Sequence, residues 1–370
     1  MIEVNRDIAQ MKPYVPGKPI SEVERELGIS GAIKLASNEN PLGPSKKALK
    51  AVREGLNAVS RYPEGGGSPL RKALADQWKV SVEHVLLGNG SNEVIELLVR
   101  TFVMPGDEAI MAKPTFSLYG LMVQSGHGKV IEVPLKDGRH DLAAMKEGIT
   151  SKTKLIFICN PNNPTGTIVY KKEVRAFLSD LPKHVLVVFD EAYAEYVTDI
   201  HYPDTIDFLK EGTPLIMLRT FSKIYGLAGL RIGYGVSHPD VISYMNRVRQ
   251  PFNSNSPGQQ GALAALSDEA HFARSKAVNQ TGKAFLCKHF DTLGISYYPS
   301  ESNFIYFYFE GNPPDTGSKI HDGLLQKGVI IRHFGGSFLR VTIGRPSENQ
   351  RFINALKEVL LTVREKSRRD

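Results

Sequence analysis

The sequence predicts an α/β protein with a large, mostly parallel, doubly wound sheet and a smaller α+β domain. Short apolar runs alternate with helical patterns through the middle of the chain, several of these runs are continuously apolar, and the last third carries long helices followed by short strands. Continuous apolar runs are typical of parallel strands that helices cover on both faces. Alternation of strands and helices is typical of a doubly wound sheet.

Seven candidate strands make up the predicted large sheet, and helical patterns such as Ser91–Phe102 and Lys171–Leu181 lie between them. The run from residue 185 to residue 189 is apolar at every position, as a central parallel strand requires. The seven strands are His84–Leu87, Glu108–Ala112, Val130–Val133, Lys154–Cys159, Val185–Asp190, Pro214–Arg219 and Ile232–Val236.

The last third of the chain has a different pattern, which predicts the smaller domain. Residues 1–30 are rich in proline, carry one short helix near Ser21–Leu27, and are too few to fold alone. We therefore predict an N-terminal segment at residues 1–30 that packs on the small domain and on a partner chain, a large domain at residues 31–255 and a small domain at residues 256–370. The predicted elements of the last third are helices Gln259–Leu266 and His271–Leu293, strands Ile295–Tyr298, Asn303–Phe309, Val329–Arg332 and Phe338–Ile343, and a final helix from Glu348.

Composition excludes several classes of function. The chain has 46 Lys and Arg against 39 Asp and Glu, a formal net charge of +7 with the basic residues dispersed. This mild balance suits small anionic ligands, and no nucleic-acid-binding motif occurs. The longest apolar run, Phe304–Phe309, is too short to span a membrane. Because the two cysteines are far apart and the N-terminus has no apolar leader, we expect a cytoplasmic protein without disulfide bonds.

Open α/β sheets bind ligands beyond the carboxyl ends of their strands, so the residues after each strand are the candidates for a site. After His84–Leu87, Gly88 and Gly90 allow a tight turn. Ser91 and Asn92 then open a helix whose N–H groups and dipole can cradle a phosphate. Taken alone, an ordinary helix cap is the simpler interpretation of this segment.

Two further strand ends carry an aromatic ring and a polar turn. Phe116 follows Glu108–Ala112 and can lie flat on a cofactor ring, although core packing is the simpler interpretation of a single aromatic residue. Residues 160–166, Asn-Pro-Asn-Asn-Pro-Thr-Gly, follow Lys154–Cys159 and display amides such as that of Asn163. Asn, Pro and Gly favour turns in general, but a run of this length exceeds what a generic turn needs.

A carboxylate and a lysine follow two apolar strands. Asp190 stands at the end of a buried strand, three residues before Tyr193, and a carboxylate there must be paired or shift its pKa. A ligand ring nitrogen, a basic side chain or a metal ion are the candidate partners, and no Walker A motif supports a nucleotide site. Lys223 follows Pro214–Arg219 among hydroxyls and small residues, a setting that can lower the pKa of an amine and make it a nucleophile. Most loop lysines, however, are simply solvated.

The combination of these parts favours one cofactor, pyridoxal 5′-phosphate (PLP). Its aldehyde needs an amine, and its ring nitrogen needs an anion to stay protonated. Its phosphate needs N–H groups, hydroxyls such as that of Ser222, and a cation such as Arg231. No residue pattern predicts a metal site.

Two sets of motifs resemble known proteins, and the resemblance covers essentially the whole chain. Residues 162–166, 190–193 and 222–233 resemble the fold type I PLP-dependent aminotransferases. A second set resembles the histidinol-phosphate aminotransferases within that family. The resemblance implies a homodimer with its active site at the subunit interface, and transfer of an amino group between L-histidinol phosphate and 2-oxoglutarate in histidine biosynthesis. The second set comprises residues 12–17 (KPYVPG), 35–44 (LASNENPLGP) and 61–64 (RYPE).

The resemblance also implies a role for each motif residue. Lys223 would bind the cofactor aldehyde and move a proton between substrate and cofactor, and Asp190 would pair with the ring nitrogen. Tyr193 and Asn163 would hydrogen-bond the phenolic oxygen. Phe116 would stack on the ring; the family often has Tyr there, and the missing hydroxyl matters little to stacking. The cofactor phosphate would be held by Ser91, Asn92, Thr220, Ser222, Arg231 and the partner's Tyr62.

Four residues are implied on the substrate side, where the pattern is less specific. Arg332 and Arg340 would meet the anionic group of the substrate, and Tyr14 and Asn38 would complete the pocket. An Arg within a strand, as at Arg340, is also consistent with a structural salt bridge. A bidentate anion clamp is favoured because the amino donor and the keto acid are both anionic.

Other functions remain open on sequence alone. An aromatic amino acid aminotransferase, or a PLP-dependent decarboxylase of the threonine-phosphate type, would share the cofactor site. The stretch around Tyr14 favours histidinol phosphate over both. A non-catalytic PLP-binding sensor normally carries a helix-turn-helix partner, and there is no room for one before Leu35.

Overall fold

The structure is a computed structural model that describes residues 2–4, 6–14, 17–310 and 313–366. Within these ranges, no helix combines the length and the apolar character needed to cross a bilayer. The helices are α1 Arg6–Gln10, α2 Ile20–Leu27, α3 Lys46–Gly55, α4 Ser68–Trp78, α5 Ser91–Phe102, α6 Leu118–Ser125, α7 Leu142–Glu147, α8 Lys171–Leu178, α9 Thr205–Lys210, α10 Pro239–Val248, α11 Ser256–Leu266, α12 Glu269–Leu293, α13 Thr316–Gln326 and α14 Pro346–Lys366. The strands are β1 Ile33–Lys34, β2 Val85–Gly88, β3 Glu108–Lys113, β4 Lys129–Pro134, β5 Thr153–Cys159, β6 Leu186–Asp190, β7 Leu215–Thr220, β8 Gly233–Ser237, β9 Ser296–Tyr297, β10 Phe304–Tyr308, β11 Val329–Ile330, β12 Arg332–His333 and β13 Phe338–Thr342.

Seven strands form the large sheet, in the order β2-β8-β7-β6-β5-β3-β4. Neighbouring strands are parallel except at β8, which runs antiparallel to both β2 and β7. The predicted large, mostly parallel sheet is therefore confirmed. Because all strands other than β8 point the same way, the segments that follow β2, β3, β5, β6 and β7 meet at one edge of the sheet.

Helices cover both faces of the large sheet, and the strand sequences explain why. In β6, Val187 and Phe189 pack in one apolar cluster and Leu186 and Val188 in another, so the strand is buried on both sides. Helices α4, α7, α8 and α9 contribute to the first cluster, and α5, α6 and α10 contribute to the second. Alternate residues of a strand face opposite sides, which is why a strand between two helical layers is apolar throughout.

The smaller domain is an antiparallel sheet in the order β12-β13-β10-β9, covered by α12, α13 and α14. Leu286 and Phe290 of α12 pack against Phe307 of β10 in its core. β1 pairs in parallel with β11, and Val23 of α2 packs with Ile330 of β11. The chain around α2 and β1 therefore lies against the small domain.

The apolar cores change over between α11 and α12. Ala262 and Ala265 of α11 pack in a cluster of the large sheet, whereas Leu286 and Phe290 of α12 pack in the small domain. The division of the chain at residue 255 stays a prediction.

Several element boundaries differ from the predicted ones for local reasons. The helix predicted at Lys171–Leu181 ends at Leu178, because Ser179 is extended. The last helix begins at Pro346, since proline suits the first turn of a helix, where its missing N–H needs no partner. The strand predicted at Val329–Arg332 is divided because β11 pairs with β1 and β12 pairs with β13.

Candidate active site

A cavity of about 500 Å³ lies at the carboxyl ends of the large-sheet strands, where residues of the small domain also reach it. We call it the active-site cavity. Every predicted site residue except Tyr62 lines it. The predicted residues that line it are Tyr14, Asn38, Ser91, Asn92, Phe116, Asn163, Asp190, Tyr193, Thr220, Ser222, Lys223, Arg231, Arg332 and Arg340.

Tyr62 lies outside the cavity of its own chain. Its side chain is 82% exposed, and its ring stacks on that of Phe252 with 4.7 Å between the centres. The predicted role of Tyr62, in the site of a partner subunit, stays a prediction.

Lys223 presents a buried amine to the cavity. Its Nζ donates to the backbone oxygen of Ser37 at 3.2 Å and lies 5.5 Å from the centre of the Tyr193 ring. Burial, together with the nearby charge of Arg340, lowers the pKa of this amine to about 8. A substantial fraction of the amine is therefore neutral, and hence nucleophilic, near neutral pH.

Asp190 ends β6 as a buried carboxylate, 3% exposed. Its Oδ2 accepts a hydrogen bond from the Tyr119 hydroxyl at 2.6 Å, and its Oδ1 accepts one from the backbone N–H of Ala192 at 3.1 Å. Burial raises the pKa of Asp190, and these two bonds oppose the rise. In the described part of the chain it forms no salt bridge, so its charge lacks a cationic partner that a protonated ring nitrogen would supply.

Tyr193 and Asn38 bring the two domains together at the cavity. The Asn38 amide donates to the Tyr193 hydroxyl at 2.9 Å, and burial raises the pKa of Tyr193. Asn38 has a φ of 56°. Thr342 holds it in this conformation, because the Thr342 hydroxyl accepts from the Asn38 N–H at 2.9 Å and donates to its side-chain oxygen at 3.0 Å. These hydrogen bonds fix the positions of the Tyr193 hydroxyl and the Asn38 amide, which both line the cavity.

The N-terminus of α5 and the Arg231 side chain form an anion cradle. Two glycines allow these groups to lie close together, because a side chain at either position would clash with them. A Cβ at Gly90 would lie 2.3 Å from Nη2 of Arg231, and a Cβ at Gly233 would lie 2.4 Å from the backbone nitrogen of Ser91. Arg231 Nη1 donates to Ser222 Oγ at 3.3 Å. Free N–H groups at a helix start, a hydroxyl and a guanidinium are the donors that a phosphate needs.

Thr220 and Phe116 also line the cavity. The Thr220 hydroxyl accepts from the backbone N–H of Ser222 at 3.1 Å, which fixes the turn before Lys223. Phe116 is half-buried and meets the Tyr119 ring edge-on, with 5.5 Å between the centres. Its ring is therefore fixed by packing on one side while it borders the cavity on the other.

Arg340 is a buried guanidinium, 7% exposed, with unused donor capacity. Nη2 donates to the backbone oxygen of Ala36 at 2.8 Å, and Nη1 donates to the side-chain oxygen of Asn163 at 2.5 Å. Among the described residues, Nε has no hydrogen-bond partner and no carboxylate forms a salt bridge with this guanidinium. Burial lowers the pKa of Arg340 to about 10. A structural salt bridge does not explain this residue, whereas an anionic substrate would complete its interactions.

Arg332 and Tyr14 line the cavity close to each other. The Arg332 guanidinium carbon is 5.8 Å from the centre of the Tyr14 ring. Tyr14 is half-exposed, so a substrate that reaches Arg340 would pass these two side chains.

Sequence motifs give no sign of Tyr119, the donor to Asp190. In the sequence it is an aromatic residue inside a helical pattern, which is typical of core packing. The general need of a buried tyrosine hydroxyl for a partner is the one available signal, and it does not identify the partner. Glu39 also lines the cavity without having been predicted.

The residues present fit PLP. Lys223 offers an amine to an aldehyde, Asp190 offers an unpaired buried charge to a ring nitrogen, and the cradle of Ser91, Ser222 and Arg231 offers donors to a phosphate. These three groups face one cavity, which is large enough for the cofactor and a small substrate.

Comparison with known proteins agrees with this chemistry. Residues 30–356 match the family Aminotransferase class I and II. Histidinol-phosphate aminotransferase of Moorella thermoacetica is 50% identical over 358 residues, which cover 95% of this chain and 92% of that protein. Histidinol-phosphate aminotransferase 1 of Nitrosococcus oceani is 48% identical over 354 residues, which cover 95% of each protein.

A solved structure resembles the whole fold. The crystal structure of histidinol-phosphate aminotransferase from Sinorhizobium meliloti in complex with pyridoxal-5'-phosphate aligns with a TM-score of 0.91 at 27% identity, covering 98% of this chain and 99% of that one. Sequence identity, family match and fold extend over nearly the same residues. This chain therefore belongs to the class I and II aminotransferases.

Proposed function

We propose that this chain is a PLP-dependent enzyme that transfers an amino group between L-histidinol phosphate and 2-oxoglutarate in histidine biosynthesis. The observation that carries the proposal is one cavity holding a buried amine of lowered pKa, a buried unpaired carboxylate and a buried arginine without an acidic partner. The names of the two relatives at 48% and 50% identity support the choice of substrate.

The cofactor side of the cavity accounts for the chemistry. When bound, PLP supplies an aldehyde that takes up the amino group and a ring that withdraws electrons. With the cofactor present, Lys223 would hold its aldehyde and would move the proton at the substrate carbon, for which a pKa of about 8 suits neutral pH. The Asp190 carboxylate, which the Tyr119 hydroxyl orients, would keep the ring nitrogen of the cofactor protonated.

The substrate side accounts for the choice of partners. The amino donor carries a phosphate and the amino acceptor carries carboxylates, so both need positively charged side chains in the cavity. Arg340 has an unpartnered Nε, and its guanidinium plane is rigid because Asn163 and the Ala36 carbonyl hold it. A planar fork binds phosphate and carboxylate alike. Arg332 also lines the cavity and adds a second cation.

We further propose that two copies form a homodimer in the cytoplasm. Leu56, Val59 and Tyr62 are exposed apolar side chains in one short stretch beside Phe252, and exposed apolar clusters favour protein contacts. Tyr62 would then reach the phosphate cradle of the partner subunit. The free thiols of Cys159 and Cys287 suit a reducing compartment.

A direct experiment tests the proposed reaction. Purified protein with PLP, L-histidinol phosphate and 2-oxoglutarate should produce glutamate and the ketone of the donor in equal amounts. Lys223→Ala is the matched control and should produce neither. Absence of glutamate would contradict the proposal, turnover with L-phenylalanine alone would favour an aromatic amino acid aminotransferase, and release of carbon dioxide would favour a decarboxylase.

A further inference from the structure

Glu39 lies between two asparagines that fix the backbone on either side of it. Asn38 has a φ of 56° and bonds to Tyr193 and Thr342. The Asn40 amide donates to the Ile224 carbonyl at 2.7 Å. Both asparagines are buried, whereas the Glu39 side chain is 48% exposed and lines the active-site cavity. Functional sites often retain a residue in the left-handed conformation that several hydrogen bonds hold in place. Here Asn38 is that residue, and the next residue, Glu39, presents its carboxylate to the cavity.

Glu39 supplies a second carboxylate to the cavity, beside that of Asp190. Among the described residues that line the cavity, Glu39 and Asp190 are the acidic ones. Asp190 is engaged by Tyr119 and faces the position of the cofactor ring. The Glu39 carboxylate raises the pKa of Lys223 more than the Asp190 carboxylate does, so it lies within reach of the reacting centre. Glu39 is thus the carboxylate left to face a substrate.

The present partner of Glu39 is replaceable. Lys34 Nζ lies 3.3 Å from Glu39 Oε1, and both side chains are accessible to water. An ion pair of this kind is worth about 1 kcal/mol or less. A substrate group that donates a hydrogen bond to Glu39 would therefore displace little stabilisation.

We propose that Glu39 accepts a hydrogen bond from the imidazole N–H of the amino donor and selects donors whose side chain carries such a group. This inference rests on the proposed function and names the residue that recognises the ring. An imidazole that leaves water needs an acceptor for its N–H. A phenyl ring offers no hydrogen-bond donor, so its binding would only remove water from the Glu39 carboxylate.

The test is calorimetric binding to the PLP-loaded protein of two amine-free ligands, 3-(imidazol-4-yl)propyl phosphate and 3-phenylpropyl phosphate. Glu39→Met keeps the length of the side chain and removes the acceptor. The substitution should weaken binding of the imidazole ligand by about fivefold or more, because it removes a charge-assisted hydrogen bond whose strength partial exposure to water reduces. The phenyl ligand should bind unchanged or tighter. Glu54→Met is the control, because Glu54 pairs with Lys50 on the surface of α3 away from the cavity, and it should change neither ligand.

Specific outcomes overturn the inference. If Glu39→Met binds the imidazole ligand within twofold of the unsubstituted protein, or weakens both ligands equally, Glu39 does not recognise the ring. Turnover of L-histidinol phosphate by the unsubstituted protein separates this failure from failure of the proposed function. If the unsubstituted protein turns over L-histidinol phosphate but Glu39→Met binds the imidazole ligand normally, only the role of Glu39 is refuted. If the unsubstituted protein does not turn over L-histidinol phosphate, the proposed function is refuted as well.

Discussion

Arg340→Lys tests whether the buried guanidinium binds the substrate anion as a fork. The substitution keeps a cation but offers a single ammonium group in place of a plane fixed by Asn163 and the Ala36 carbonyl. At least one charge-assisted hydrogen bond to the substrate is then lost, at about 1.5–3 kcal/mol. Since about 1.4 kcal/mol corresponds to a factor of ten, kcat/KM should fall roughly 10- to 150-fold for both the amino donor and the keto acid.

The assay is steady-state kinetics of both half-reactions, with the absorbance of bound PLP as a separate measure of cofactor content. Cofactor content should stay normal, because the predicted cofactor ligands at Ser91, Ser222 and Arg231 are untouched. Arg274→Lys is a matched control on the exposed surface of α12 and should leave kcat/KM unchanged. A kcat/KM for Arg340→Lys within threefold of the unsubstituted value for both substrates would refute the role of Arg340 as an anion clamp.

The remaining predictions concern the cofactor side. Lys223→Ala should abolish turnover and leave the circular dichroism spectrum unchanged, and retained multiple turnover would remove Lys223 from the mechanism. Asp190→Asn should keep the cofactor but lower kcat by about 100-fold or more, because removal of one partner of a buried charge pair costs about 3–5 kcal/mol; a near-normal kcat would exclude Asp190. Burial lowers the pKa of Lys223 to about 8, so its neutral fraction rises with pH. The rate of PLP uptake by cofactor-free protein should therefore increase about fivefold between pH 7 and 8 and level off near pH 9; a continued tenfold rise per pH unit up to pH 10 would contradict the lowered pKa.

The large sheet and the cavity could be predicted because both depend on local sequence. A strand buried on both faces must be apolar at each position, as in residues 185–189, and polar residues that follow such strands meet at one edge of the sheet. Asp190 and Lys223 were placed together by this rule alone. The motifs then assigned individual roles to them by resemblance.

The unpredicted parts depend on contacts between distant residues. Residues 329–331 are a continuous apolar run, and nothing local in it shows that pairing with β1 ends there and pairing with β13 begins at Arg332. Tyr119 reaches Asp190 from a helix 71 residues earlier in the chain. Arg340 could be either a clamp or a salt bridge until its partners were known. In each case the prediction requires knowledge of which residue is the contact partner, and the packing of helices and strands that are distant in sequence determines that partner.

The most direct test of the central claim is a half-reaction titration followed by visible absorbance. Purified protein loaded with PLP is mixed with L-histidinol phosphate and, separately, with L-phenylalanine. The account predicts loss of the visible band of the bound cofactor at low histidinol phosphate, with far more phenylalanine needed for the same change. A protein that binds no PLP, or a visible band that responds to phenylalanine and not to histidinol phosphate, would contradict it.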